Sequence, residues 1–331
     1  IGDFDYYFFG MGSRAKLLYK DGKLTNIQTK EVLYSWDVDN FLIIPNDYTV
    51  VLITKDGKKV KIEENENGIY VNDEVVDNTY IDLEDFKDQK YQNIKKTLYG
   101  ELLFNIENSV IKPNIIVYEN AWYRDAAMVA MALNQTNNIS LIKDWIDNIT
   151  DIYDNQNGNK EPDNLGELLY LLSFSENQNN LIQKIKDEAK EKGFTANTDG
   201  AKHEIYQKKW YNFGLNALNE KRTVSIKGEE DSYEALAWWY NPNKYNGYFK
   251  NNISTDYPYL SIAQYHTVKQ GQFVMNKNVY PLSFERNASM ANYDKMDVLG
   301  DYYKENRISP VHSWTAAELF LLIMDETGDL K

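Results

Sequence analysis

The hydrophobic pattern changes period near residue 86, and that change restricts what the chain can fold into. Before it, apolar and polar residues alternate; after it, apolar residues recur at helical spacing. "KLLYKDGKLTNI" (16–27) reads as two short strands around Asp21-Gly22. "TVVLITKDGKKVKIEE" (49–64) repeats the device at Asp56-Gly57, and "NGIYVNDEVV" (67–76) adds a third β-like unit. From residue 91 the chain runs through about ten helical segments separated by loops rich in Asn, Gly, Asp and Pro. They start with "YQNIKKTLYGELLFNI" (91–106) and close with "NASMANYDKMDVLGDYY" (287–303) and "HSWTAAELFLLIMD" (312–325).

Strands followed by many helices predict a small β-sandwich-like domain over 1–85 and a helical domain over 86–331. The expected class is mainly α: an α/α toroid of five or six helical hairpins after a β-rich N-terminal domain. An irregular helical bundle is the alternative.

Composition narrows the function classes. Lys and Arg total 36 against 50 Asp and Glu, a net charge of −14, which argues against nucleic acid and anionic membrane surfaces as partners. A local basic cleft could still override that figure. There are no cysteines, so disulfides, thiol catalysis and cysteine zinc sites are excluded. No apolar run is long enough to span a membrane. The chain begins at Ile1 rather than Met, and an extracellular or cell-surface location is the expectation. Tyr (26) and Trp (7) outnumber Phe (13), and rings with a polar handle suit sugars, whose C–H faces stack while their hydroxyls need hydrogen bonds.

"AWYRDAAMVAMAL" (121–133) is apolar on every face of a helix except for Arg124 and Asp125 at its head. Two charges at the mouth of a buried helix predict a pocket there. "WYRDAAMVAMAL" resembles the W-x-R-D segment of the glucoamylase-type, six-hairpin glycosidases. "EPDNLGELLYLL" (161–172) is similar to their Q-x-D-x-x-G-E helix start. "GEEDSYEALAWW" (228–239) resembles the acidic loop that carries their general acid, and "SWTAAELFLLIM" (313–324) their closing W-S-x-A-E helix. The four segments come in the family's order. No Trp precedes Glu229-Glu230, and Glu161 stands where the family often has Gln.

The resemblance implies inverting glycoside hydrolysis, with Arg124 and Asp125 on sugar hydroxyls beside Trp122. Such chemistry needs one protonated carboxyl group and one ionised one. Glu230, within the acidic run Glu229–Asp231, is the expected acid, because neighbouring like charges raise proton affinity; acids favoured at a helix N-terminus explain the run equally well. Glu285, in the Pro-containing loop "YPLSFERNASMANY" (280–293), is the expected base, with a structural carboxylate paired with Arg286 as its alternative and Glu305 as second choice. Asp163 points into the mouth or caps the following helix. Trp210, Trp238, Trp239 and Trp314 are stacking candidates, and His312 sits where the ring would close. No metal or cofactor is expected: the three histidines form no i, i+4 pair, and no phosphate-binding glycine loop occurs. Helical-toroid polysaccharide lyases use Tyr, His, Asn and Arg instead, and His203 with Tyr206 keeps that option open. A non-catalytic glycan-binding or surface scaffold protein is the other alternative.

Overall fold

The computed structural model describes residues 5–156, 158–227, 232–240 and 280–330. They fall into two compact units, one built from 1–119 and 276–331, the other from 120–275.

Unit 1 begins with two antiparallel meanders. β1 (Tyr6–Phe9), β2 (Leu17–Lys20), β3 (Lys23–Asn26) and β4 (Val32–Ser35) form a four-stranded sheet. β5 (Val38–Ile44), β6 (Thr49–Thr54), β7 (Lys59–Asn65), β8 (Gly68–Val71) and β9 (Glu74–Asp77) form a five-stranded one. The Asp-Gly hairpin lies where the sequence puts it: Lys20 pairs with Lys23 across Asp21 and Gly22, both with positive φ (50° and 71°), as a two-residue turn of this hand requires. A buried carboxylate fixes the turn between β1 and β2. Glu64 on β7 accepts from the amides of Gly10 (2.8 Å) and Met11 (2.7 Å) and pairs with Arg14 Nη1 at 3.0 Å.

α1 (Gln92–Phe104) and the short ladder of β10 (Ile106–Glu107) with β11 (Val110–Ile111) follow. After the second unit the chain returns with β12 (Phe284–Arg286), α7 (Asp301–Glu305), β13 (Ile308–Pro310) and α8 (Ser313–Thr327). α1 packs against α8, with the rings of Tyr99 and Phe320 stacked and that of Phe86 edge-on to both. The Nζ of Lys95, itself fully buried, closes the far end on Asp329 and Thr327.

Unit 2 is helical: α2 (Tyr123–Gln135), α3 (Ser140–Asp147), α4 (Asp163–Leu172), α5 (Asn179–Lys192), α6 (Glu204–Ala217) and a 3₁₀ stretch over Ser232–Tyr240. α4 packs on both α2 and α6. Two glycines set the α4–α6 contact. A Cβ on Gly166 would lie 2.2 Å from the backbone of Trp210 and Tyr211, and one on Gly214 would lie 2.6 Å from the Gly166 carbonyl oxygen. The helices therefore touch backbone to backbone.

The mainly-α class and the toroid are not what forms. The described residues carry thirteen strands in four antiparallel sheets, and strands recur well past residue 85, at 106–111 and 284–310. The described residues are α+β, and no toroid is evident among them. Helical periodicity reports one amphipathic face at a time and does not say which helices become neighbours. The continuous helix expected over 287–303 also breaks. Asn292 accepts from the Asp294 amide to start a 3₁₀ turn at Tyr293–Val298, and Gly300 (φ 105°) ends that run before the five-residue α7. Turn chemistry outweighs period there.

Gly166→Ala is expected to destabilise the protein by about 1–3 kcal/mol, because the methyl meets fixed backbone and not a mobile side-chain tip. Urea unfolding followed by far-ultraviolet circular dichroism measures it; an unchanged midpoint would mean that α4 and α6 can separate freely.

Candidate functional site

Each unit gathers part of the expected constellation. In unit 2, α2 opens inside the protein, so its first amides need partners. The Asp154 carboxylate accepts from the Tyr123 amide at 2.8 Å. Arg124, one residue on, is 4% exposed. Its Nε donates to Asp163 at 2.9 Å, its Nη2 to Glu161 at 2.6 Å and its Nη1 to the Tyr233 hydroxyl at 3.1 Å. Asp199 stands 3.9 Å from the same guanidinium, and its amide donates to Glu161 at 2.7 Å. Asp163 lies in the first turn of α4, where its carboxylate accepts from the Asn164 amide at 3.1 Å and from Thr198 Oγ1 at 3.0 Å. His203 stacks on Tyr233 at 3.9 Å.

One guanidinium thus faces several acids, and like charges held close together out of water raise each other's proton affinity. Burial, with the Asp163 charge beside it, pushes Glu167 well above the usual carboxylate range. Burial also raises Asp154. Glu167 is fully buried and accepts from Asn164 Nδ2 at 3.2 Å. Asp125 is buried on the first turn of α2 and Trp122 is half-buried before it. Trp210 is fully buried and, with the half-buried Trp239 at 4.3 Å, belongs to an aromatic cluster that includes Phe213. Trp238 is buried.

In unit 1 the structure brings Glu285 and His312 together. Glu285, on β12, pairs in register with Ser309 on β13. It is 6% exposed; its Oε2 accepts from the Tyr118 hydroxyl at 2.8 Å, and its Oε1 lies 3.6 Å from His312 Nε2. Arg286 points to the other face of the strand, as alternation requires, and donates to the Asn306 carbonyl at 3.3 Å. His312 is the N-cap of α8. Its Nδ1 lies 2.9 Å from the Thr315 hydroxyl and 3.3 Å from the Thr315 amide, while Nε2 faces Glu285. Burial lowers the ring's pKa to about 3, so it is neutral at physiological pH. The Glu285 charge adds to burial in pushing the Tyr293 phenol up to about 12.

The residue before His312 is strained. Val311 is β-branched and holds φ at 63°, a left-handed conformation that such residues rarely adopt. It is clamped there: its amide donates to the Ser283 carbonyl at 2.8 Å, and its own carbonyl accepts from Asn105 Nδ2 at 3.0 Å and Asn114 Nδ2 at 3.1 Å. Trp314 is buried just after, and Glu305 is exposed at the end of α7. Glu229, Glu230, Asp231 and His266 lie outside the described residues.

Sequence reading singled out neither Tyr118, Val311 and Thr315 in unit 1 nor Thr198, Asp199 and Tyr233 in unit 2. Tyr118 sits in "IIVYEN", with nothing local to separate it from the other tyrosines. Among the described residues no group of three or more His, Asp or Glu side chains could hold a metal ion, and no helix is long and apolar enough to cross a membrane.

The two acids of α4 should respond oppositely to substitution. Asp163→Ala leaves Arg124 short of a partner and is expected to cost about 3–5 kcal/mol. Glu167→Gln is nearly isosteric with the protonated acid and should cost far less at neutral pH. Because the folded-state pKa of Glu167 is raised, its contribution is complete below the unfolded carboxylate pKa and is lost as pH rises through the folded value. The Gln variant should therefore lose less stability than the parent between neutral and alkaline pH, measured by denaturant titration at each pH. Parallel curves for the two proteins would show that Glu167 is already ionised.

In comparison with known proteins, no family model, no curated protein and no solved structure matches this chain.

Proposed function

We propose that the chain is a glycoside hydrolase acting on an oligo- or polysaccharide, with Glu285 as the base that activates water. The observation that carries this reading is the setting of the Glu285 carboxylate: buried, bonded by Tyr118 at 2.8 Å and faced by His312 at 3.6 Å. A base must be both ionised and aimed. Tyr118 donates to the ionised form and fixes its plane. His312, neutral and 3.6 Å from the other oxygen, brings no full positive charge, which would weaken the base. Val311, strained at a cost of order 1–3 kcal/mol, sets the position of that ring, and strain of this kind collects at functional sites. A carboxylate that only pinned β12 would account for the Tyr118 bond but not for that strain.

In the proposed reaction Glu285 takes a proton from water as the oxygen attacks the anomeric carbon. A carboxylic acid protonates the departing glycosidic oxygen, and the sugar centre inverts. Glu230, the acid expected from the sequence, lies outside the described residues. Within unit 2, the Arg124–Asp163 pair fixes the start of α2.

A second reading, lyase chemistry, is favoured by Tyr118 and His312 both bordering Glu285, since a phenol and an imidazole can remove a proton next to a uronate carboxylate. One experiment separates the readings. The purified protein is incubated with neutral and acidic glycans in heavy-oxygen water. Hydrolysis puts the label on the new reducing end, with proton NMR of the first product showing inversion. A lyase gives an unlabelled, unsaturated end instead. Glu285→Gln should lower kcat by about 10²–10⁴-fold while binding changes little. Full activity in that variant would remove Glu285 as the base, and a glycan that binds without being cleaved would make this a binding protein.

A further inference from the structure

A cavity of about 410 Å³ lies in unit 1 between the β2–β3 hairpin and the segment around Asp297–Gly300. Leu18 and Ile27 contribute apolar lining, and Lys20, Lys23 and Lys30 contribute cations. Three cations line the pocket beside two acids, Asp21 and Asp297, and Asp21 stands 3.8 Å from Lys20 Nζ, so one positive charge remains over in a chain of net charge −14. Lys20 and Lys23 are direct cross-strand partners, an arrangement of like charges that weakens a sheet. Two further features hold cations there. Lys30 adopts φ 61°, a left-handed conformation unusual for a side chain of this size, and its amide is tied to the Asn26 carbonyl at 2.8 Å. Lys20 Nζ is anchored on the Leu299 carbonyl at 2.7 Å, next to Gly300, where a Cβ would come within 3.5 Å of that nitrogen. Lys23 and Lys30 are exposed.

The geometry points to a binding site for a small anionic sugar: a pyranose carrying an oxyanion, either a uronate or a sugar phosphate. The lysines supply point charges for the oxyanion. Asp297 and Asp21, the latter 3.8 Å from Lys20 Nζ, are acceptors for hydroxyl donors, and the side chains of Leu18 and Ile27 suit the C–H face of a ring. The volume lies within the range of small-molecule sites. A simple anion would use the lysines but leave the two aspartates opposed to it, and a neutral sugar would leave the lysines unmatched. This goes beyond the hydrolase reading and does not rest on it.

The test is amide NMR titration of the full chain with D-glucuronate, D-glucose 6-phosphate and D-glucose. Shifts are expected at residues 18–30 and 297–300 with at least one of the two anionic sugars, and which one responds identifies the oxyanion. Lys23→Gln/Lys30→Gln changes only exposed side chains and should weaken that binding about tenfold or more, and D-glucose should bind about tenfold more weakly than the anionic sugar. Glu285→Gln should bind the anionic sugar as the parent does, so loss of catalysis and loss of this site are distinguishable. Absence of shifts with both anionic sugars, equal binding of D-glucose, or undiminished binding in the double variant would each overturn the proposal.

Discussion

The carboxylate of Glu101, buried on α1, is where two distant stretches of chain are fastened together in unit 1. One oxygen accepts from the Leu282 amide at 2.6 Å, and the other from the amide of Ser283 at 2.9 Å and from its hydroxyl. Burial is the larger influence on this acid and raises its pKa to about 7, and the three donors oppose that shift. Ser283 then passes the constraint on. Its hydroxyl accepts from the His312 amide at 3.1 Å and its carbonyl from the Val311 amide. The residues flanking Glu285 on both strands of the β12–β13 ladder are thus located from α1, about 180 residues earlier in the chain.

This dependence explains what the sequence could and could not disclose. The Asp21-Gly22 hairpin was legible because two adjacent residues carry the whole signal. Most helices were legible because their apolar faces recur within one turn, as in α2, α4 and α8. The assembly was not legible. Whether α1 meets α8 depends on rings such as Tyr99 and Phe320, and no local period records such a pairing. The α+β class was hidden for a related reason: β12 and β13 are three-residue strands more than twenty residues apart, too short for alternation to show.

The candidate site divides in the same way. Glu285 and His312 stood out by context, one in a Pro-containing loop and the other at a helix start, and they meet. Arg124 and Asp163 stood out as charges beside apolar runs, and they meet too. Their partners Tyr118, Thr198 and Tyr233 carry ordinary polar side chains and acquire roles only through long-range contact. Gly166 is a middle case. "LGEL" suggests a glycine inside a helix, which costs helix stability unless packing repays it, and here the backbone of α6 occupies the missing side chain's place.

The two units treat buried carboxylates differently, and the difference bears on function. Around Arg124 the acids face a full cation, and burial with the Asp163 charge raises the pKa of the neighbouring Glu167. An arrangement of buried, hydrogen-bonded ions suits the seating of a helix start. Around Glu285 the described structure places a phenol and a neutral imidazole, whose dipoles can orient a carboxylate. Protonating His312 would replace that dipole with a full charge, and burial holds the ring's pKa far enough down, near 3, to prevent this across the physiological range. The strained Val311 and the asparagine clamps on its carbonyl are what keep the ring in that dry position.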